Sequence, residues 1–150
     1  LYTDRRNQGG VTLVELLVVV AIVGILGGVT GVFLIKYLPE YHLRAAANNL
    51  SQDLKFAQVN ALKTLQTCNA TFTAGTTQSY TISVPSGDKT VDLKSYPHEI
   101  RFVAITGSPV QFNAEGLKIG LTNSTIEMRN SKGSVIKTDI TRTGSIRVTR

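Results

Sequence analysis

The chain has one cysteine, no tryptophan, one methionine and four prolines, and only 10 acidic residues stand against 16 basic ones. A single cysteine, Cys68, rules out an intramolecular disulfide, and there is neither a CxxC pair nor a Cys/His cluster at zinc-like spacing. The fold must therefore hold together without staples. The two histidines, His42 and His98, are isolated in the sequence, belong to no HExxH, and read as surface polar residues. GxSxG, P-loop and EF-hand spacings are missing, and Asp88 with Asp92 is too sparse for a calcium loop. Cys68 carries no local catalytic signature and reads as a buried or half-buried thiol at the start of a sheet. No enzymatic activity, cofactor or metal is expected. Asn49-Leu50-Ser51, Asn69-Ala70-Thr71 and Asn123-Ser124-Thr125 match the glycosylation sequon, a pattern frequent by chance.

The shortage of acids gives a formal charge of +6 and a pI near 9.7, which favours anionic surfaces, lipid headgroups or nucleic acid alike. At 150 residues there is room for one ordinary domain. The apolar residues are concentrated at one end. Leu16 to Ile35 is a run of 20 residues without a charge. At about 1.5 Å per residue it spans roughly 30 Å, the hydrocarbon thickness of a bilayer. A transmembrane helix is expected there. A cleavable secretory signal is the competing reading, but its apolar stretch is about 7 to 15 residues long and ends at small residues. Here the run is longer and closes on Lys36-Tyr37. Arg5 and Arg6 before the run balance Lys36 and Arg44 after it, so charge counting leaves the orientation open. Gly24/Gly28 and Gly27/Gly31 form two small-xxx-small spacings, which admit a second helix at close range and also reflect the ordinary abundance of glycine in membrane helices.

Beyond Pro39, Leu43, Ala46, Ala47, Leu50, Leu54, Ala57, Ala61 and Leu65 recur at helical spacing, which predicts a half-buried amphipathic helix over about 41–65. Pro39 predicts a kink or break before it. From there the pattern changes to short runs rich in Thr, Val, Ile and Phe. Strands are expected near 69–73, 79–84, 99–105, 109–112, 117–121, 124–130, 134–140 and 145–149, with a hairpin turn at 129–134 and a loop tip at 84–90. The expected fold class is α+β, a long N-terminal helix packed on an antiparallel sheet of about 69–149.

A short basic leader ending in Gly9-Gly10, followed by "VTLVELLVVVAIVGIL" from Val11, resembles the bacterial prepilins of the type IV filament superfamily. The later stretches "LRAAANNLSQDLKFAQVNALKTLQTCNATFT", "VQFNAEGL" and "TGSIRVTR" resemble the GspH/FimT minor pseudopilins more loosely. The resemblance implies a leader over 1–10, a transmembrane helix over 11–38 and a periplasmic or extracellular head over 39–150. It implies cleavage by a prepilin peptidase after Gly10 and methylation of the new amine on Val11. It also places the leader in the cytoplasm and the chain in the bacterial inner membrane in a single pass, before it enters a pilus or pseudopilus. The partners implied are other pilins or pseudopilins, the peptidase and an inner-membrane assembly platform.

Glu15 sits inside the apolar run, where an isolated ionised carboxylate is costly. It could lie at headgroup level or be protonated. The resemblance implies instead that it faces the terminal amine of a neighbouring subunit during filament growth, so that mispacked registers leave both charges unpaired. Gly24, Gly27, Gly28 and Gly31 would serve helix packing in the same filament.

The segment 125–150 gathers six bases against Glu127 and Asp139. Alternation points Arg147 to solvent and Ile146 and Val148 into the core, which predicts a basic sheet edge. Such an edge can neutralise phosphates, and it also discourages strand-to-strand aggregation. DNA is therefore a second candidate partner, through Arg142, Arg147 and Arg150, as in FimT-like pilins whose Gly-Arg-x-Arg element this chain matches only as Gly144-Ser145-Ile146-Arg147. No aromatic residue follows Phe112, so base-stacking platforms are missing from this region.

Overall fold

The computed structural model describes residues 11–150. It divides at Tyr37/Leu38 into two compact units. One helix, α1 (Leu13–Thr64), contributes to both.

In the first unit the helix presents bare apolar side chains, from Leu13 at 78% exposed to Ile35 at 71%. Phe33 and Tyr37 stack with ring centres 4.3 Å apart. The segment is long and apolar enough to cross a membrane, with a mean hydropathy of 2.7 in its most apolar window.

The second unit contains the core. Leu43, Ala46, Ala47, Leu50, Leu54, Ala57 and Ala61 are all buried, so the helical periodicity marks the packed face. Four alanines are among the buried residues of that face. Leu65 departs from the expectation. It is 74% exposed and adopts a left-handed backbone (φ 54°) one residue past the helix end, which turns it off the buried face. Of the kink or break expected at Pro39, the break does not occur: α1 runs through the proline, which is buried.

The strands form two four-stranded antiparallel sheets rather than one. The first has the order β3-β2-β1-β5, from β1 (Cys68–Thr73), β2 (Ser79–Val84), β3 (Gly87–Asp92) and β5 (Val110–Phe112). The second has the order β4-β6-β7-β8, from β4 (Arg101–Thr106), β6 (Ser124–Arg129), β7 (Val135–Ile140) and β8 (Ile146–Thr149). Alternation decides the faces: Ile126 and Met128 of β6, and Ile136, Thr138 and Ile140 of β7, enter the core while their neighbours face outward.

Two strand assignments also fail, for identifiable reasons. Strand β3 falls where a loop tip was expected. Its sequence "GDKTVD" has almost no apolar period, but the turn at Pro85-Ser86 returns the chain into six consecutive pairs with β2, from Val84↔Gly87 to Ser79↔Asp92. Conversely, the strand expected at 117–121 is a loop. The side-chain oxygen of Asn113 accepts the backbone N–H groups of Glu115 and Leu117, which bends the chain, and only an isolated bridge, Phe112↔Lys118, remains. Lys118 is buried and its ammonium donates to the carbonyls of Ile119 and Thr122, closing the loop from within.

Candidate functional site

The start of α1 is built by local chemistry. Thr12 precedes the first helical residue, and its Oγ1 accepts the backbone N–H of Glu15 at 3.2 Å, while its carbonyl accepts that of Leu16 at 3.1 Å. Thr12 is thus the N-cap and Glu15 the third helical residue, the spacing of a capping box. Glu15 also puts its carboxylate in the first turn, where the helix dipole favours negative charge. This local role was open to sequence reasoning, since Thr-x-x-Glu before an apolar run is its signature. Val11 is exposed, and Gly10, the residue before the expected cut, lies outside the described residues. A Cβ placed on Gly24, Gly27, Gly28 or Gly31 would meet nothing within 4 Å, so that surface is open within the chain.

The C-terminal bases do not form one strip. On the outer face of the second sheet, Glu127 lies directly opposite Lys137 and pairs with it at 2.7 Å, which raises the lysine pKa. Arg147 lies opposite Asp139, whose carboxylate accepts hydrogen bonds from Thr125 and Thr149. The face therefore alternates in sign. Arg150 turns to α1 and pairs with Glu40 at 3.0 Å, sharing that carboxylate with Arg44 at 2.8 Å. Arg44, Asn48, Ile136, Val148, Thr149 and Arg150 line a cleft of about 310 Å³. Arg142 belongs to a different cleft of about 540 Å³, with Lys118 and Asn123, whose Oδ1 accepts the Arg142 N–H. The structure thus separates Arg142, Arg147 and Arg150 into three settings. Val148, expected in the core, is 37% exposed because β8 is an edge strand at the rim of that first cleft.

Sequence reasoning missed a polar cluster that locks the first sheet to α1. Asp53, buried on the helix, accepts from the hydroxyl of Tyr80 at 2.8 Å and from the ammonium of Lys89. Burial, then the hydrogen bond and charge of Asp53, drive the Tyr80 pKa far above its usual value. Asn49 donates to Tyr96 on the rim of the same polar cleft. None of these residues belongs to a recognisable motif; only β3, itself unforeseen, brings Lys89 to Asp53. His42 and His98, read as isolated, are half-buried neighbours with ring centres 5.3 Å apart. Cys68 is buried, as expected, and burial raises its thiol pKa. Among the described residues no group of three or more His, Cys, Asp or Glu could hold a metal.

Comparison with known proteins adds two findings. Residues 5–31 match the family model of the prokaryotic N-terminal methylation motif, which spans the capped helix start and Glu15. The fold is similar to the crystal structure of the type IV minor pilin FimU from Pseudomonas aeruginosa, with a TM-score of 0.61 and 15% sequence identity over 76% of this chain and 92% of that one. No protein of curated function matches. The chain thus combines a methylation motif with a pilin-like α+β fold, a long N-terminal helix packed on antiparallel sheets.

Proposed function

We propose that the chain is a minor pilin or pseudopilin of the GspH/FimT type, a structural subunit of a type II secretion pseudopilus or type IV pilus and not an enzyme. A prepilin peptidase cuts after Gly10, the new amine on Val11 is methylated, and the subunit leaves the inner membrane for a filament built through α1. The observation that carries this reading is the methylation motif matched over 5–31, together with the apolar side chains that α1 leaves exposed from Leu13 to Leu26 and from Phe33 to Ile35. A surface of that kind must be covered by lipid before assembly and by other helices after it. Gly24, Gly27, Gly28 and Gly31 leave room for such neighbours.

Glu15 then has two roles in sequence. In the membrane its backbone completes the Thr12 cap and its carboxylate lies on the positive end of the helix. In the filament the carboxylate meets the Val11 amine of an adjacent subunit, and an incorrect register leaves both charges unpaired at a cost of several kcal/mol. The test is Glu15→Ala in cells that hold the peptidase and the partner pilins. Intact mass of the membrane-extracted chain should still begin at Val11, while the amount recovered in sheared filaments falls. Normal co-assembly of the variant removes the role assigned to Glu15, and a wild-type chain that keeps its leader removes the pilin reading.

DNA uptake is the weaker alternative. Arg150 is engaged with Glu40, and the face that carries Arg147 alternates in sign, which reduces the number of phosphates one strand could neutralise.

A further inference from the structure

We infer that the cleft between the loop at 113–123 and the turn at 141–144 is a binding site for a phosphomonoester-class oxyanion. Its volume, about 540 Å³, lies in the range of roughly 300–1,000 Å³ that small-ligand sites occupy. Lys118 and Arg142 line it, and among the described residues no acid does. Lys118 is 7% exposed, so its ammonium is withdrawn from water, a position that is costly unless charge or hydrogen bonds compensate it. The carbonyls of Ile119 and Thr122 take two of its three N–H groups, at 3.2 and 3.0 Å. The third is unspent. Among the described residues, carboxylates pair with Arg44, Lys89, Lys137 and Arg150, and with neither cation of the cleft.

The uncharged residues of the cleft point to the same chemistry. Asn113 Oδ1 accepts the N–H groups of Glu115 and Leu117, and Asn123 Oδ1 accepts that of Arg142. Both amides thus spend their oxygen on the backbone, which fixes which end is which, and keep an NH2 group unspent. The Thr141 and Thr143 hydroxyls satisfy each other at 2.9 Å. The hydrogen-bonding capacity left in the cleft is therefore donor-rich and positive: an ammonium N–H, a guanidinium and two amide NH2 groups. A phosphomonoester brings about −1.5 to −2 charges and three acceptor oxygens, and a guanidinium matches it bidentately. A monocarboxylate brings less of both. The walls are joined before any ligand arrives: the Lys118 N–H donates to the Arg142 carbonyl at 3.1 Å, and the Gln58 amide holds Gly116 in one wall and Gly144 in the other. A preformed cleft loses little freedom on binding. Arg147 and Arg150 do not line it, so the site is not the basic strip expected for DNA.

The full chain in detergent is titrated by calorimetry with inorganic phosphate and with glycerol 3-phosphate, and with acetate at matched ionic strength for comparison. One phosphate per chain is expected, and no acetate. Arg142→Gln changes an exposed side chain and leaves the backbone bond to Asn123 in place; it should weaken phosphate about 10- to 100-fold, the worth of one charge-assisted hydrogen bond. Arg101→Gln removes the same charge from the exposed start of β4 and should leave binding unchanged. Tighter binding of inorganic phosphate identifies a free ion as the ligand, and tighter binding of glycerol 3-phosphate identifies a phosphate carried on a larger molecule. Because Lys118→Met can open the loop, the second measurement uses the wild type only. Phosphate should slow amide hydrogen exchange in 117–123 and 141–144 and leave β1 to β3 unchanged. No binding at millimolar phosphate, equal binding of acetate, full retention in Arg142→Gln, an equal loss in Arg101→Gln, or unchanged exchange in both segments would each overturn the site.

Discussion

Replacing Asp53 by Ala tests whether the polar cluster, rather than apolar burial alone, fastens the first sheet to α1. The change strands the Tyr80 hydroxyl, which is 1% exposed as a residue and has Asp53 as its acceptor. An orphaned buried hydroxyl costs about 1–3 kcal/mol. The lost Lys89 pair adds about 0–1 kcal/mol, discounted because that side chain is 55% exposed. Alanine returns about 0.5 kcal/mol through its better helix propensity. The net loss is about 2 kcal/mol. In a unit of this size that lowers the unfolding midpoint by roughly 8 °C, at about 4 °C per kcal/mol. Near-ultraviolet circular dichroism of the full chain in detergent follows the tyrosines and reads the midpoint directly. Tyr80→Phe should cost less than Asp53→Ala, and Lys89→Ala least. The pH dependence has a fixed sign. Folding raises the Tyr80 pKa above the ordinary tyrosine value of about 10, so the unfolded chain releases that proton first. The contribution is complete below about pH 10 and is lost as pH rises above it, and Tyr80→Phe should flatten that alkaline decline. A Lys89→Ala loss equal to that of Asp53→Ala, or no midpoint change in Asp53→Ala, would refute the reasoning.

Two further outcomes follow from the loops. Gly144 has φ 81°, and a Cβ there would press on the Gln58 amide and lie 2.5 Å from the Gly116 carbonyl. Gly144→Ala should cost about 2–4 kcal/mol by thermal melt, against about 1–2 for Gly133→Ala, where φ is 86° and nothing lies within 4 Å; equal losses would show that Gln58 matters little. In a gel-shift titration at low and high salt, the chain should retard duplex DNA weakly at most, with no retardation near physiological salt. Firm retardation that Arg142→Ala and Arg147→Ala abolish would restore the DNA reading.

Local patterns carried much of the architecture. The apolar run, the alanine-rich face of α1 and the alternation in β6 and β7 each follow from a period that a single segment displays. What stayed hidden depends on contacts that the apolar period of a single segment does not display. Strand β3 has no apolar face of its own and exists because β2 offers it a ladder, while 117–121 alternates convincingly but is bent by Asn113 and Lys118. The site divides the same way. Glu15 is legible from its place in the run and in the Thr-x-x-Glu cap, whereas Asp53–Tyr80–Lys89 and His42–His98 are made only by the closed fold.

The Gln58 amide donates to the carbonyls of Gly116 and Gly144, across 58 and 86 residues of chain. Most strand pairings are short-range by contrast: β1-β2-β3 and β6-β7-β8 each join consecutive strands by antiparallel returns. Loop closure of that kind is entropically cheap, so the two meanders can zip before α1 receives both glycine turns. On that order Gln58 would engage late, as a latch on the folded head. Its removal should quicken unfolding while leaving the refolding rate nearly untouched, so that one amide governs how long the head stays shut rather than how fast it forms.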